Sequence, residues 1–254
     1  MILIQIQQIN SSKILLQSAS KLAIQLGKSF GVLGFVDSED MMLDCENDLK
    51  QGLEDLNLSD SSIYIRNSKS VTLSEICEEV DASFLFIQLS DSKSIRKKLT
   101  DCRDLRIPYV LFKDTFTSLD LKKVILPIGF LEEEMEKAQF ASAFGRFCNS
   151  EINMFLANDY GSKAAINAEK MKLIFDKFEF KYTIEKATKD SFKIEIESIQ
   201  IAEKLNAGII IVSASREYGL DDIIFGPKEY HVVKKSTIPV LLVNPRGDLY
   251  ALCD

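Results

Sequence analysis

The chain has 254 residues, 46% apolar and 27% charged, with 16 Phe and 7 Tyr. That is enough core for one large domain or two of common size under an ordinary charged surface. A net charge of -7, with no basic stripe carrying interleaved aromatics, argues against a nucleic-acid or anionic-membrane surface. Apolar runs such as "AGIIIV" are far shorter than the roughly 20 residues a bilayer span needs. "MILIQIQQ" lacks the charged and apolar regions of a signal peptide, so a cytoplasmic protein is expected.

In chain order, short apolar runs read as strands and stretches with i, i+3, i+4 periodicity as helices. The first half runs "ILIQI" (strand), 11–28 (helix), "FGVLGFV" (strand), 39–56 (helix) and "SIYIR" (strand). It continues with 72–80 (helix), "SFLFIQL" (strand), 93–102 (helix) and "IPYVLF" (strand). The second half repeats the order: "KVILPI", 132–148, "INMFLA", 162–178, "KYTIEKA", 192–205, "GIIIV", 222–235, "IPVLLV". Five strands alternating with four helices predict a parallel doubly wound α/β sheet. Two copies predict two domains, 1–117 and 118–254, joined by the turn-rich "KDTFTSLDLKK".

The copies align through their strands. "ILIQI" and "ILPI" are about 123 positions apart, "DASFLFIQLS" and "NAGIIIVSAS" 125, and "IPYVLF" and "IPVLLV" 131. The offset jumps by six after the fourth strand, so the first copy is six residues shorter there. The longer segment of the second copy is "SASREYGLDDIIFGPKEY", placed where α/β proteins bind phosphate, between a strand and a helix.

This double unit resembles the universal stress protein family in its tandem two-domain form. The most specific stretch is "NAGIIIVSASREYGLDDIIFGPKEYHVVKKSTIPVLLVNP". Nucleotide-binding members of that family hold ATP with a Gly-x2-Gly-x9-Gly-Ser/Thr loop and an aspartate that ends the first strand. Carried over by position, the resemblance places the three loop glycines on Ser213, Arg216 and Gly226, the hydroxyl on Pro227 and the aspartate on Gly129. Only Gly226 is kept. Glycine lets backbone N–H groups approach phosphate and permits positive φ, and Pro227 has neither N–H nor hydroxyl. In the first copy the aspartate position is Gln7, and "QLSDSKSIRKKL" contains no glycine. The set is therefore read as a vestigial nucleotide site. No cofactor is expected, ATP being compatible with the second domain only.

Other residues are open to two readings. Arg216 is either a substitute phosphate ligand or a solvated arginine paired with Glu217 or Asp221. Asp221 and Asp222 read as helix N-terminal residues rather than metal ligands. The acid-rich "FLEEEMEK" reads as a solvated helix N-terminus. His231 is the single histidine and has no visible catalytic partner. Five cysteines without CxxC spacing (Cys45, Cys77, Cys102, Cys148 and Cys253) read as reduced thiols.

The resemblance implies a stress-response protein that is not an enzyme and acts through dimerisation or a protein partner still to be identified. The alternatives are an adenine-nucleotide-binding regulator using the second domain and an ATP-pyrophosphatase-like enzyme. The last lacks the Ser-Gly-Gly-type loop it requires after the first strand. The family's edge pairing implies an intramolecular contact between Pro108–Phe112 and Pro239–Val243, with a homodimer through other surfaces. No metal, nucleic-acid or membrane partner is expected.

Overall fold

A computed structural model describes residues 1–215, 219, 222, 224 and 226–246. The chain divides into two units, Met1–Ser118 and Leu119–Asp254. Among the described residues no helix is long and apolar enough to cross a membrane.

In the first unit, β1 (Ile2–Ile6), β2 (Phe30–Val36), β3 (Ser62–Asn67), β4 (Phe84–Leu89) and β5 (Tyr109–Lys113) alternate with α1 (Lys13–Gln25), α2 (Met42–Asp55), α3 (Leu73–Glu79) and α4 (Ile95–Asp101). All pairings are parallel, in the order β3-β2-β1-β4-β5. Every residue of β1 and β4 is buried, as expected for central strands covered on both faces.

The second unit repeats the plan with β6 (Lys123–Ile128), β7 (Glu151–Leu156), β8 (Tyr182–Lys186), β9 (Ile209–Ser213) and β10 (Val240–Val243). Between them run α5 (Glu136–Cys148), α6 (Lys163–Lys177), α7 (Ile194–Leu205) and α8 (Lys228–Lys235). The order is β8-β7-β6-β9-β10, again all parallel. The expected α/β class, a doubly wound five-stranded sheet occurring twice, is the observed one. β8 is an edge strand and is largely exposed.

The helices begin and end for local reasons. Thr72 and Glu75 form a reciprocal capping box ahead of α3, with Thr72 N–H donating to Glu75 at 2.8 Å. α5 and α7 stop at Asn149 and Asn206, both left-handed, at φ 53° and 50°. Short 3-10 turns at Glu39–Met41, Ser92–Ser94 and Glu132–Met135 take up what the periodicity assigned to the first turns of α2, α4 and α5. The helix expected over 222–235 is interrupted. Gly226 takes φ +89°, Pro227 is extended, and α8 starts at Lys228.

Equivalent hydrogen bonds register the two units. Ser83 N–H donates to Met1 O in one, and Gly208 N–H to Lys123 O in the other. Ile2 lies beside Phe84 as Val124 lies beside Ile209. This shifts the apolar alignment of the first strands by one residue. A strand buried on both faces has no alternation to set its phase. The register makes Gln7 equivalent to Gly129 and Gln88 equivalent to Ser213.

Candidate functional site

In each unit the chain reverses direction across the sheet between two central strands, β1 and β4 or β6 and β9. The crevice at their C-terminal ends is where open α/β sheets bind ligands.

In the second unit Gly129 follows β6, and its N–H donates to Glu134 Oε2 at 2.9 Å. The same oxygen accepts from Lys137 Nζ at 2.6 Å, and that ammonium also donates to the Pro127 carbonyl. Both side chains are buried. Burial by itself pushes the Glu134 carboxyl up; Lys137, Lys228 and the Gly129 N–H together outweigh it and leave it below the usual carboxylate range. The loop is pinned further by Asn167 of α6, whose Nδ2 donates to Gly129 O at 3.0 Å and Leu131 O at 2.8 Å. Phe130 N–H donates to Ser191 Oγ at 3.0 Å, and Ser191 bonds Asp159 through both its N–H and its hydroxyl.

This corrects the reading of "FLEEEMEK" as a solvated helix start. Glu134, Glu136 and Lys137 are buried. Glu134 and Lys137 are retained inside because carboxylate, ammonium and backbone satisfy one another, which composition alone does not reveal. Glu136 Oε1 accepts from Arg246 N–H at 3.0 Å.

The aspartate position is closed in a second sense. A Cβ on Gly129 would lie 3.0 Å from Ser191 Oγ, 3.2 Å from Ser191 Cβ and 3.7 Å from Glu134 Cδ. The space next to the strand end is already filled by the protein.

At the end of β9, Ser213 is buried and its hydroxyl has no hydrogen-bond partner among the described residues. Ser215 Oγ donates to Glu229 Oε2 at 2.8 Å, and Gly219 N–H to Asp222 Oδ2 at 2.9 Å. Arg216, with Glu217 and Asp221, lies outside the described residues. Gly226 is needed where it stands, for its positive φ and because a Cβ there would sit 2.8 Å from the Tyr230 ring. Pro227 caps α8 without a side-chain bond. The next residue, Lys228, pairs with Glu195 at 3.1 Å. Burial pulls the Lys228 ammonium down, but Glu195, Glu134 and Glu229 overcome this and hold it above the ordinary lysine value. Among the described residues, Lys228 thus stands near three carboxylates (Glu134, Glu195 and Glu229), and the Lys137 ammonium pairs with the first of them.

In the first unit Gln88, at the equivalent of Ser213, is fully buried. Its Oε1 accepts from the N–H groups of Gln7 at 2.7 Å and Gln8 at 3.2 Å. Its Nε2 donates to Ser11 Oγ at 2.7 Å and Asp114 Oδ1 at 2.9 Å. One amide therefore ties the loop after β1 to the segment after β5, across the crevice mouth. Sequence reasoning missed this residue. Its signal was a lone amide ending an otherwise apolar run, "SFLFIQL".

Other expectations can be placed as well. Among the described residues no group of three or more His, Cys, Asp or Glu could hold a metal ion. Cys45, Cys77, Cys102 and Cys148 carry no disulfide. Burial pushes the Cys77 thiol up to about 12 and that of Cys148 to about 11, so neither is an activated nucleophile. Cys253 lies outside the described residues. His231 packs edge-on against the neighbouring Tyr230, centroids 5.2 Å apart.

No protein-family profile and no curated protein matches the sequence. Solved structures do resemble it. A universal stress protein from Archaeoglobus fulgidus DSM 4304 matches with a TM-score of 0.70 at 15% identity, covering 96% of this chain and 98% of its own. A universal stress protein from Pseudomonas aeruginosa UCBPP-PA14 matches with a TM-score of 0.67 at 15% identity, covering 99% and 95%. The cytoplasmic domain of a prokaryotic cation chloride cotransporter is similar at a TM-score of 0.52 and 14% identity, covering 95% and 93%. The sheet order, its repetition and these likenesses agree: the chain has the fold of the universal stress proteins, written twice.

Proposed function

We propose that this is a cytoplasmic, non-enzymatic protein of universal-stress type whose two nucleotide crevices no longer serve ATP, and which works by dimerisation or by binding a protein partner. The observation that carries this reading is the Glu134 carboxylate on the Gly129 N–H. An internal anion, neutralised by Lys137, takes the backbone donor beside the position where the family resemblance expects an aspartate. The Gln88 amide plays a similar part in the first unit, where it takes the N–H groups of Gln7 and Gln8. In this reading Gly129, Ser213, Arg216, Gly226 and Pro227 are remnants of a phosphate site. The proposal extends to 1–117 and 118–254 as the functional domains. It also includes a pairing of 108–112 with 239–243, since β5 and β10 each end their own unit's strand order.

A second reading, an adenine-nucleotide regulator using the second unit, is favoured by one observation. The buried Ser213 hydroxyl has no partner among the described residues and stands at the first glycine position of the loop. Calorimetric titration with MgATP separates the two readings. The leading one expects no saturable binding below about 1 mM. Loss of several charge-assisted hydrogen bonds, each worth roughly 1.5–3 kcal/mol, takes a micromolar site beyond that limit. A micromolar dissociation constant, or a nucleotide retained through purification in native mass spectrometry, would establish the second.

A further inference from the structure

β8 ends the strand order of the second unit, and among the described residues only β7 pairs with it. Ile152 N–H donates to Lys181 O at 2.9 Å and Ala187 N–H to Leu156 O at 2.8 Å, so the backbone at 181 and 187 faces β7. Backbone groups alternate sides along a strand. Residues 183 and 185 therefore also face β7, while Tyr182, Ile184 and Lys186 turn their N–H and C=O groups outward. The next outward N–H groups are already taken within the chain. Phe180 N–H donates to Phe175 O at 3.0 Å, and Thr188 N–H to the Glu197 carboxylate at 3.0 and 3.1 Å. The available edge is symmetric about Ile184.

That edge is uncovered. Residues 183–186 are exposed, and the strand contains no proline or glycine to blunt it. Its Tyr, Thr and Ile favour extended structure. The equivalent edge of the first unit, β3, is half-buried from Ile63 to Asn67, and its Arg66 is held by Glu79. Beside β8 lies apolar surface as well: Ile184 is 38% exposed, and Phe178, stacked on Phe180, is 53% exposed. A bare edge with an apolar fringe is a template for another strand.

We infer that β8 is a self-association edge, pairing antiparallel with β8 of a second copy of this chain about a two-fold axis at Ile184. In that register Ile184 meets the second copy's Ile184, Tyr182 meets its Lys186 and Thr183 meets its Glu185. Every outward N–H and C=O of residues 182, 184 and 186 then finds a partner. Charges on an edge ordinarily block strand addition. Here Lys186 falls beside a tyrosine ring and Glu185 beside a neutral threonine, so no like charges stand opposite one another. The neighbouring registers fail. A shift of two residues one way sets Glu185 against Glu185, and the other way sets Lys186 against Phe180, whose N–H is taken. This fit to itself selects a second copy over an unrelated strand. The inference rests on the dimerisation arm of the proposed function, for which it names the surface, and is independent of both crevices.

The test is sedimentation of the full chain over a concentration series, with a thiol reductant present, joined to amide hydrogen exchange on the same samples. A strand-sized interface lies at the weak end of specific association, so dimer is expected by about 0.1 mM chain. Exchange at Tyr182, Ile184 and Lys186 should slow by about tenfold or more as dimer forms. Ile184→Pro deletes an outward N–H without touching the β7 ladder. It should keep its circular dichroism and weaken the dimer by about tenfold or more, while Ile184→Val stays dimeric. A chain that remains monomeric to about 1 mM would overturn the β8 pairing and the dimerisation arm together. A dimer in which residues 182, 184 and 186 exchange at the monomer rate would overturn the β8 pairing alone and place dimerisation at another surface. That readout uses the parent chain and holds whatever Ile184→Pro does to folding. A folded Ile184→Pro variant as dimeric as the parent would likewise overturn the β8 pairing alone.

Discussion

Glu134 and Lys137 form an ion pair of 2.6 Å with both side chains out of water, one turn apart on the segment that leads into α5. Breaking a buried pair from one side leaves the other charge unanswered, typically a loss of about 3–5 kcal/mol, while replacing both with apolar groups of similar volume is often neutral. Glu134→Gln should therefore destabilise the second unit by about 3 kcal/mol, and Glu134→Leu with Lys137→Met by much less. Denaturant unfolding of the two variants and the parent measures this. Equal losses in the single and double variants would show that the pair is not the source.

Glu134 and the neighbouring Lys228 set a pH dependence. The Glu134 carboxyl is held below its ordinary value, so its contribution is complete above the unfolded glutamate value of about 4.3 and is lost as pH falls through the folded one. Lys228 is held above its ordinary value, so its contribution is complete below about 10.4 and fades as pH rises through the folded value. Stability of the second unit should therefore decline at both extremes, and Glu134→Gln should flatten the acid limb and, because Glu134 is one of the carboxylates that hold Lys228 up, shrink the alkaline limb without abolishing it. Urea midpoints measured from acid to alkaline pH read both limbs.

Gln88 predicts a different kind of loss. Truncation to Ala removes the acceptor for two backbone N–H groups and the donor for Ser11 and Asp114. Leaving part-buried donors unsatisfied costs about 1–3 kcal/mol each. Gln88→Ala should lower the first unit's stability by about 2–4 kcal/mol. It should also raise amide exchange selectively over residues 7–12. Exchange that rises uniformly through β1, β2 and β4 would indicate a packing role instead.

How far the sequence carried the fold follows from the same residues. Two rounds of five apolar runs separated by amphipathic stretches were enough for the sheet order, because strands covered on both faces have little choice but to be apolar. The interruption at Gly226 and Pro227 could have been read, since that pair stops a helix as readily as it starts one. Glu134, Glu136 and Lys137 could not. Charged letters are assigned to solvent by default, and only the three-dimensional neighbourhood of Gly129 shows that Glu134 and Lys137 satisfy one another there. Gln88 was overlooked for the converse reason: one amide in an apolar strand looks like noise until its four bonds are traced.

The strand-end proposal has its own test. β5 and β10 contain uninterrupted buried apolar residues, "YVLF" and "VLLV". If 108–112 pairs with 239–243, Val110→Lys or Leu241→Lys should convert a soluble protein into one that aggregates, as exposed apolar strand edges do. Light scattering and sedimentation measure the outcome. A soluble, well-folded Val110→Lys variant would remove this pairing from the proposal.

The last expectation concerns repair of the nucleotide site. Were the missing aspartate the only defect, Gly129→Asp would restore binding. The geometry argues otherwise, since the new Cβ would meet Ser191 at 3.0 and 3.2 Å and the new carboxylate would enter a site that Glu134 already makes anionic. Forcing extra atoms into a filled site costs typically about 1–3 kcal/mol. Gly129→Asp should therefore destabilise by about that amount and gain no MgATP binding. Adding Ser191→Gly removes the hydroxyl and Cβ that obstruct it and should recover part of the stability, so the two substitutions are expected to be non-additive by about 1 kcal/mol. Neither variant should bind nucleotide while Glu134 keeps the Gly129 N–H. Saturable MgATP binding by Gly129→Asp alone would show that the crevice is open and that Glu134 yields to a ligand.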